Sequence, residues 1–270
     1  MNRQSPIGVF DSGLGGLTVA REIMRQMPEE SIVYFGDTAR VPYGSKSRVT
    51  ITHYAKQIVN FLKTRDVKAI VVACNTASAV LDGFKDCADV PMIGVVKPGA
   101  LTASRMTRNK KIGVIGTESL VNSGVYIDYI RELDKEITVL QKACPLLCPL
   151  VEEGWWHDEI TTTVIRRYVS GLKEQDIDTL IMGCTHYPLL RSTFREILGE
   201  EVQLINPAYE TSIELKAILE QEELSRIPEE GNVRHEFYVS DDPERFVAFA
   251  TSVLKFDIGN AEKIAIENYG

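Results

Sequence analysis

Two cysteines each follow a short apolar run and precede polar residues. The segment 70–78 reads IVVACNTAS and contains Cys74, and the segment 180–188 reads LIMGCTHYP and contains Cys184. An apolar run bounded in this way is typical of a buried parallel strand, and open α/β sheets bind ligands at the carboxyl ends of their strands. Both thiols are therefore candidates for chemistry at a sheet edge. We expect the helix that begins near Thr76 to lower the pKa of the Cys74 thiol.

Two further groups are placed where they can carry protons to and from these thiols. His186 lies two residues after Cys184, and a neighbouring imidazole favours ionisation of a thiol. Asp11 ends the first apolar run, at the start of the loop 11–16, which reads DSGLGG. This loop matches neither the dinucleotide-binding fingerprint nor the P-loop, so Asp11 is either a helix cap or the base partner of a thiol.

Polar segments also follow other apolar runs. The segment 37–44 reads DTARVPYG, and its Pro-Tyr-Gly turn can lay backbone N–H groups over a ligand. Glu152 and Glu153 precede Gly154, where the alternative to an acidic catalytic group is an exposed, solvated turn.

The remaining three cysteines do not predict a metal site. Cys87 lies in a helical segment and is expected to serve packing. Cys144 and Cys148 form a CxxxC pair, but no nearby CxxC or HxxxH motif completes a set of zinc ligands. We therefore expect no bound metal.

Composition excludes several classes of protein. The chain has 270 residues, 44% of them hydrophobic, and a net charge of −8. It carries no dense stripe of lysine and arginine, which argues against nucleic-acid binding. It also has no apolar run long enough to span a membrane and no signal-peptide pattern at its start, so we expect a cytoplasmic location.

A repeat within the chain predicts its fold. Nine apolar runs alternate with amphipathic segments, as expected for βαβ units; they lie near residues 6–10, 31–36, 67–73, 91–96, 111–116, 137–143, 178–183, 201–205 and 233–240. Ile7 and the run after it are echoed 105 positions later at Ile112, and Cys74 is echoed 110 positions later at Cys184.

This repeat predicts an α/β protein with two pseudo-symmetric α/β domains, mostly parallel sheets and an active site in the cleft between them. The first domain is expected to comprise residues 1–98 and 208–270, and the second residues 99–207. Cys74 and Cys184 would then face each other across the cleft.

Two thiols on opposite sides of one cleft suit the inversion of a carbon stereocentre. One cysteine, as a thiolate, removes a proton from one face, and the other, as a thiol, donates a proton to the opposite face. A thiol pKa near 8.5 makes both states accessible near neutral pH.

The motifs at 11–16, 37–44, 74–78, 149–152 and 183–188 together resemble those of the glutamate racemases, over most of the chain. The resemblance implies interconversion of L- and D-glutamate without a cofactor, which supplies D-glutamate for bacterial peptidoglycan. It also implies a homodimer.

The resemblance assigns roles to individual residues. It implies that Cys74 acts on the D face with help from Asp11, and that Cys184 acts on the L face with help from His186, with Glu152 as a further acidic group. The residues that it implies for substrate binding are Asp11, Ser12, Pro42, Tyr43, Gly44, Asn75, Thr76, Thr185 and His186.

Other functions remain open at this point. The substrate of a racemase could instead be a related acid such as aspartate. Two α/β lobes that close on a small molecule would also describe a non-enzymatic binding protein, although such proteins usually carry export signals. A pyridoxal-phosphate enzyme needs a lysine for its Schiff base, and none lies in these motifs.

Overall fold

The apolar runs form the strands of two sheets in the computed structural model of the chain, which describes residues 2–227 and 233–270. The strands in this part of the chain are β1 Ile7–Asp11, β2 Ile32–Gly36, β3 Ala69–Val72, β4 Met92–Gly94, β5 Lys111–Gly116, β6 Thr138–Ala143, β7 Thr179–Gly183, β8 Gln203–Ile205, β9 His235–Val239 and β10 Glu262–Lys263. All nine predicted runs are confirmed as strands. The short strand β10 was not predicted, because both of its residues are charged and exposed.

The order of the strands repeats between the two sheets. The first sheet has the order β10-β9-β2-β1-β3-β4, and the second has the order β6-β5-β7-β8. All the pairings are parallel. The order β2-β1-β3-β4 of the first sheet recurs as β6-β5-β7-β8 in the second, as the sequence repeat predicted. The predicted fold class, two α/β domains with mainly parallel sheets, is confirmed.

Helices connect the strands. They are α1 Leu17–Gln26, α2 Arg48–Lys63, α3 Asn75–Ser78, α4 Val96–Met106, α5 Glu118–Ser123, α6 Val125–Leu133, α7 Leu147–Glu152, α8 Glu159–Glu174, α9 Arg191–Leu198, α10 Pro207–Gln221 and α11 Pro243–Leu254. Helices α5 and α6 are separated at Gly124, whose φ of 69° is left-handed and therefore favours glycine. None of the helices described within residues 2–227 and 233–270 has the length and apolarity needed to cross a membrane.

The two halves share part of their apolar core. One continuous cluster of buried side chains contains Leu17 of α1 and Val71 of β3 together with Met182 of β7. Since protein cores are close-packed, this shared cluster fixes the carboxyl edge of one sheet relative to the edge of the other.

The chain passes between the halves at two neighbouring points. Gly99 in α4 and Pro207 at the start of α10 lie so close that a Cβ added at Gly99 would be 3.1 Å from Cγ of Pro207. Strands β9 and β10, at the end of the chain, pair in the first sheet. These observations support our proposal that residues 1–98 and 208–270 form one domain and residues 99–207 the other.

A buried ion pair secures the amino-terminal side of the first sheet. Nζ of Lys68 lies 2.6 Å from Oε2 of Glu30 and donates a hydrogen bond to the carbonyl of Arg3 at 2.8 Å. The Lys68 and Glu30 side chains are 0% and 2% exposed. Removing one member of such a pair leaves the other charge buried without its partner.

We therefore expect Lys68→Met to lower the free energy of unfolding by about 3–5 kcal/mol, as measured by urea denaturation. The matched control is Lys85→Met, because Lys85 forms an exposed ion pair with Asp82 at 2.8 Å and should lose less than about 1 kcal/mol. Equal losses in the two variants would contradict the role of the buried pair.

Candidate active site

The two sulfur atoms lie at equivalent sheet edges. Cys74 follows β3 and Cys184 follows β7, which hold the same position in their sheets. Both cysteines line one cleft of about 490 Å³, part of which is open to solvent. The residues are 5% and 7% exposed respectively, so both thiols are almost enclosed by protein.

All but one of the residues predicted for the site line this cleft. They are Ser12, Pro42, Tyr43, Gly44, Cys74, Asn75, Thr76, Glu152, Cys184, Thr185 and His186. The exception is Asp11, which is 1% exposed and lies behind the wall of the cleft. Its carboxylate accepts a hydrogen bond from the N–H of Gly13 at 3.0 Å. Gly16 occupies the N-cap position of helix α1, so Asp11 is not the N-cap residue, although the N–H of Gly16 is among the backbone groups that lower its pKa.

The surroundings of Cys74 hold its proton firmly. Burial and the nearby negative charge of Asp11 raise the pKa of Cys74 to about 12, while the hydrogen bond from Sγ to Oγ of Ser12 at 3.5 Å opposes this rise. The helix acts in the predicted direction, because the backbone N–H of Ala77 in α3 also lowers the pKa of Cys74, but burial and Asp11 outweigh it, so the predicted net lowering was wrong. Burial also raises the pKa of Asp11.

Cys184 has two close neighbours. Its sulfur lies 3.4 Å from Sγ of Cys148 and 3.6 Å from Nδ1 of His186. The contact with Cys148, together with burial, raises the pKa of Cys184, whereas His186 lowers it. Burial lowers the pKa of His186, but its hydrogen bonds with Cys184 and Glu152 outweigh burial and raise it to about 10.

Glu152 holds the far side of this imidazole. Its Oε1 lies 3.1 Å from Nε2 of His186, and its Oε2 accepts a hydrogen bond from Arg245 at 3.3 Å. Burial raises the pKa of Glu152. The hydrogen bond and charge of His186 and the charge of Arg245 lower it by more, so the pKa of Glu152 lies below its usual value. Of the two adjacent glutamates, Glu152 therefore contacts the site, whereas Glu153 is exposed at the end of α7.

We expect Glu152→Gln to lower the turnover number by about 10–100-fold, because it replaces hydrogen bonds between charged groups that are worth about 1.5–3 kcal/mol. Steady-state kinetics with each enantiomer of the substrate would measure this change. Glu153→Gln is the matched control and should retain full activity. Similar losses in both variants would show that the contact with His186 has no special role.

The polar side chains of the cleft are fixed by contacts from both halves. Oδ1 of Asn75 accepts a hydrogen bond from Tyr126 at 2.9 Å. Oγ1 of Thr76 lies 3.0 Å from Oγ1 of Thr117. The hydroxyl of Tyr43 donates to the carboxylate of Asp37. These bonds orient the amide and hydroxyl groups before any ligand binds, which reduces the cost of ordering them.

Five residues that line the cleft were not among the predicted site residues, and two of them, Thr117 and Cys148, carry polar or ionisable side chains. Thr117 follows Ser12 by the same 105 positions that relate Ile7 to Ile112, so the repeat contained the information needed to find it. Cys148 was considered only together with Cys144, and no sequence signal connects it to Cys184. The contact depends on how α7 packs at the cleft.

Comparison with known proteins identifies the family. Residues 7–211 match the family model described as Asp/Glu/Hydantoin racemase. The chain belongs to this racemase family. A glutamate racemase of Geobacter metallireducens is 46% identical, with 97% of each chain covered.

Solved structures of family members agree with this assignment. Glutamate racemase isoform RacE1 of Bacillus anthracis has a TM-score of 0.93 and 41% identity, covering 97% of this chain and 98% of its own. The glutamate racemase of Francisella tularensis, solved in complex with D-glutamate, has a TM-score of 0.91 and 36% identity, covering 99% of this chain and 100% of its own. The racemase family and the predicted resemblance are therefore confirmed.

Proposed function

We propose that this protein is a glutamate racemase that interconverts L- and D-glutamate with two cysteines as proton carriers, and that it supplies D-glutamate for bacterial peptidoglycan. The family and the named relatives carry the assignment to glutamate. The observation that supports the two-base mechanism is that Cys74 and Cys184 line the same cleft, each from the equivalent edge of its own sheet.

In the proposed reaction, Cα of glutamate lies between the two sulfur atoms. Starting from L-glutamate, the Cys184 thiolate removes the α-proton, and the Cys74 thiol donates a proton to the opposite face. The reverse reaction exchanges these roles. General acid–base catalysis by a positioned group contributes about 10²–10⁴-fold to a rate, and the repeated fold supplies one such group for each face.

Each cysteine has its own partner for the proton that it must lose. Asp11, whose pKa is raised by burial, is the carboxylate whose charge acts on the Cys74 thiol, and we assign it to accept a proton from the side of Cys74. The hydrogen-bond partner of the Cys184 sulfur is Nδ1 of His186, and Glu152 holds the imidazole through Nε2. We assign Asp11 and His186 as the groups that bring the cysteines into their reactive states, and Glu152 as the group that positions His186.

Backbone and side-chain donors from both halves are placed to bind the substrate. We assign its carboxylate groups to donors of Ser12, Asn75, Thr76 and Thr185 and to the turn formed by Pro42, Tyr43 and Gly44, all of which line the cleft. Local donors of this kind are needed because the net charge of −8 repels an anionic substrate.

The proposed function is tested by polarimetry or circular dichroism of L-glutamate incubated with the pure protein and no added cofactor. The signal should decay to zero, because the two enantiomers have equal free energy, and D-glutamate should reach the same end point. Aspartate in a parallel assay should be a much poorer substrate. Binding of glutamate without exchange of its α-hydrogen for solvent deuterium would instead support a two-lobe binding protein.

We also propose, from the resemblance to glutamate racemases, that the protein is a cytoplasmic homodimer. Light scattering coupled to size-exclusion chromatography should give twice the mass of one chain. Fractionation of cells that produce the protein should recover it with cytoplasmic markers.

A further inference from the structure

The proposed reaction leaves one cleft residue without a role. Cys148 lies in α7 one helical turn before Glu152, and its side chain reaches the cleft. Its Sγ is 3.4 Å from Sγ of Cys184, which is in turn 3.6 Å from Nδ1 of His186. The three ligand atoms all lie within 4.8 Å of one another. Two sulfur atoms and an imidazole nitrogen thus converge on one small volume.

Two of these three distances are close to those around a tetrahedral zinc ion. Bonds of about 2.3 Å to sulfur and about 2.0–2.1 Å to nitrogen place two ligand atoms about 3.5–3.8 Å apart. The two contacts of the Cys184 sulfur, at 3.4 and 3.6 Å, are already close to those values. Sulfur and imidazole ligands also favour zinc over magnesium or calcium.

The surroundings supply what a metal-binding histidine normally has. A histidine that binds a metal through one ring nitrogen usually donates a hydrogen bond from the other to a carboxylate. Nε2 of His186 is 3.1 Å from Glu152, which leaves Nδ1 to face the two sulfur atoms. The site is lined on its remaining side by the cleft, so a fourth ligand would be water or a bound anion.

We propose that Cys148, Cys184 and His186 form a binding site for a thiophilic divalent cation such as Zn²⁺, and that the bound ion inhibits the enzyme. Two thiolates neutralise the charge of the ion within the protein. Inhibition rests on the proposed function, because the ion occupies the sulfur assigned to the L face. This site was not expected from the sequence, where we considered only ligands near Cys144 and Cys148, and Cys184 lies 36 residues further along the chain.

Metal binding is tested with Co²⁺, whose absorption reports thiolate ligands and tetrahedral geometry independently of any reaction. The reduced wild-type protein, titrated without oxygen, should develop thiolate-to-cobalt charge-transfer bands at one equivalent, and Zn²⁺ should abolish them. Cys148→Ala should weaken cobalt binding at least about tenfold, since even groups outside the ligand set are worth that much. Cys87→Ala, which removes a half-buried thiol outside this cluster, is the matched control and should bind like the wild type.

Inhibition is tested with buffered Zn²⁺ in the racemisation assay, each variant being compared with its own rate without zinc. Zinc should inhibit the wild type and Cys87→Ala, and EDTA should restore their activity. Cys148→Ala should need at least about tenfold more zinc for the same inhibition. Circular dichroism should confirm that this variant is folded, and Cys148→Ser provides a second substitution at the same position.

Equal cobalt spectra and affinities in the wild type and both Cys148 variants would overturn the metal site. Cobalt binding that depends on Cys148, in a protein that does not racemise glutamate, would keep the metal site and overturn the proposed function. Zinc inhibition that is unchanged by either Cys148 substitution would overturn the inhibitory role of this site.

Discussion

Cys74→Ser and Cys184→Ser are each expected to lower racemisation of glutamate by at least about 10³-fold, because a serine hydroxyl holds its proton too tightly to act as the base on its face. Each variant should still bind glutamate, since the hydrogen bonds that orient Asn75 and Thr76 involve neither sulfur. The rate at which the circular dichroism signal of glutamate decays measures the loss of racemisation. Cys87→Ser is the matched control and should keep the wild-type rate.

The two serine variants should also differ from each other in a way that identifies the face each cysteine serves. Cys74→Ser retains Cys184, so it should exchange the α-hydrogen of L-glutamate for solvent deuterium without inverting the carbon. Cys184→Ser should show the same exchange with D-glutamate only. Near-normal racemisation in either variant would contradict the two-base mechanism, and reversed exchange would reverse the assignment of the faces.

Gly15→Ala is expected to lower the turnover number by about 10²-fold, the typical effect of misplacing a catalytic group by about 1 Å. A Cβ at this position would lie 2.4 Å from Oγ1 of Thr185 and 2.6 Å from Nδ1 of His186. Neither distance is possible without movement, so the imidazole would be pushed away from its position beside Cys184. Gly15 therefore lies where the first half of the chain packs directly against Thr185 and His186 of the second half.

The control for this substitution is Gly171→Ala in α8, where an added Cβ has no atom within 4 Å. That change should leave activity intact and stabilise the helix by up to about 1 kcal/mol. Kinetics and thermal unfolding of both variants separate the effects. An active Gly15→Ala enzyme would mean that His186 does not need its observed position.

The sequence was a good guide wherever burial alone decided the structure. The central strands β1, β3, β5 and β7 are apolar runs because parallel strands covered on both faces require nearly continuous apolar residues. The repeat placed Cys74 and Cys184 at equivalent edges because duplicated chains fold into the same strand order. The predicted meeting of the two cysteines at one cleft followed from these two facts.

Features that depend on the packing of short helices were not accessible from the sequence. The pKa of Cys74 is raised because burial and the charge of Asp11 outweigh the backbone N–H of Ala77 in the short helix α3. The choice between Glu152 and Glu153 depends on the direction in which the last turn of α7 faces. The contact of Cys148 with Cys184 arises from the same helix, and helices this short have no clear hydrophobic periodicity.

The proximity of Gly99 to Pro207 allows the chain to be divided into two fragments. The segment between them begins and ends at almost the same place in space, as an insertion within a host domain must. Excising residues 100–206 therefore leaves a gap that a few residues would bridge, and the excised module has neighbouring ends suited to circular permutation. Such a pair of fragments would separate the folding of each half from the chemistry that needs both.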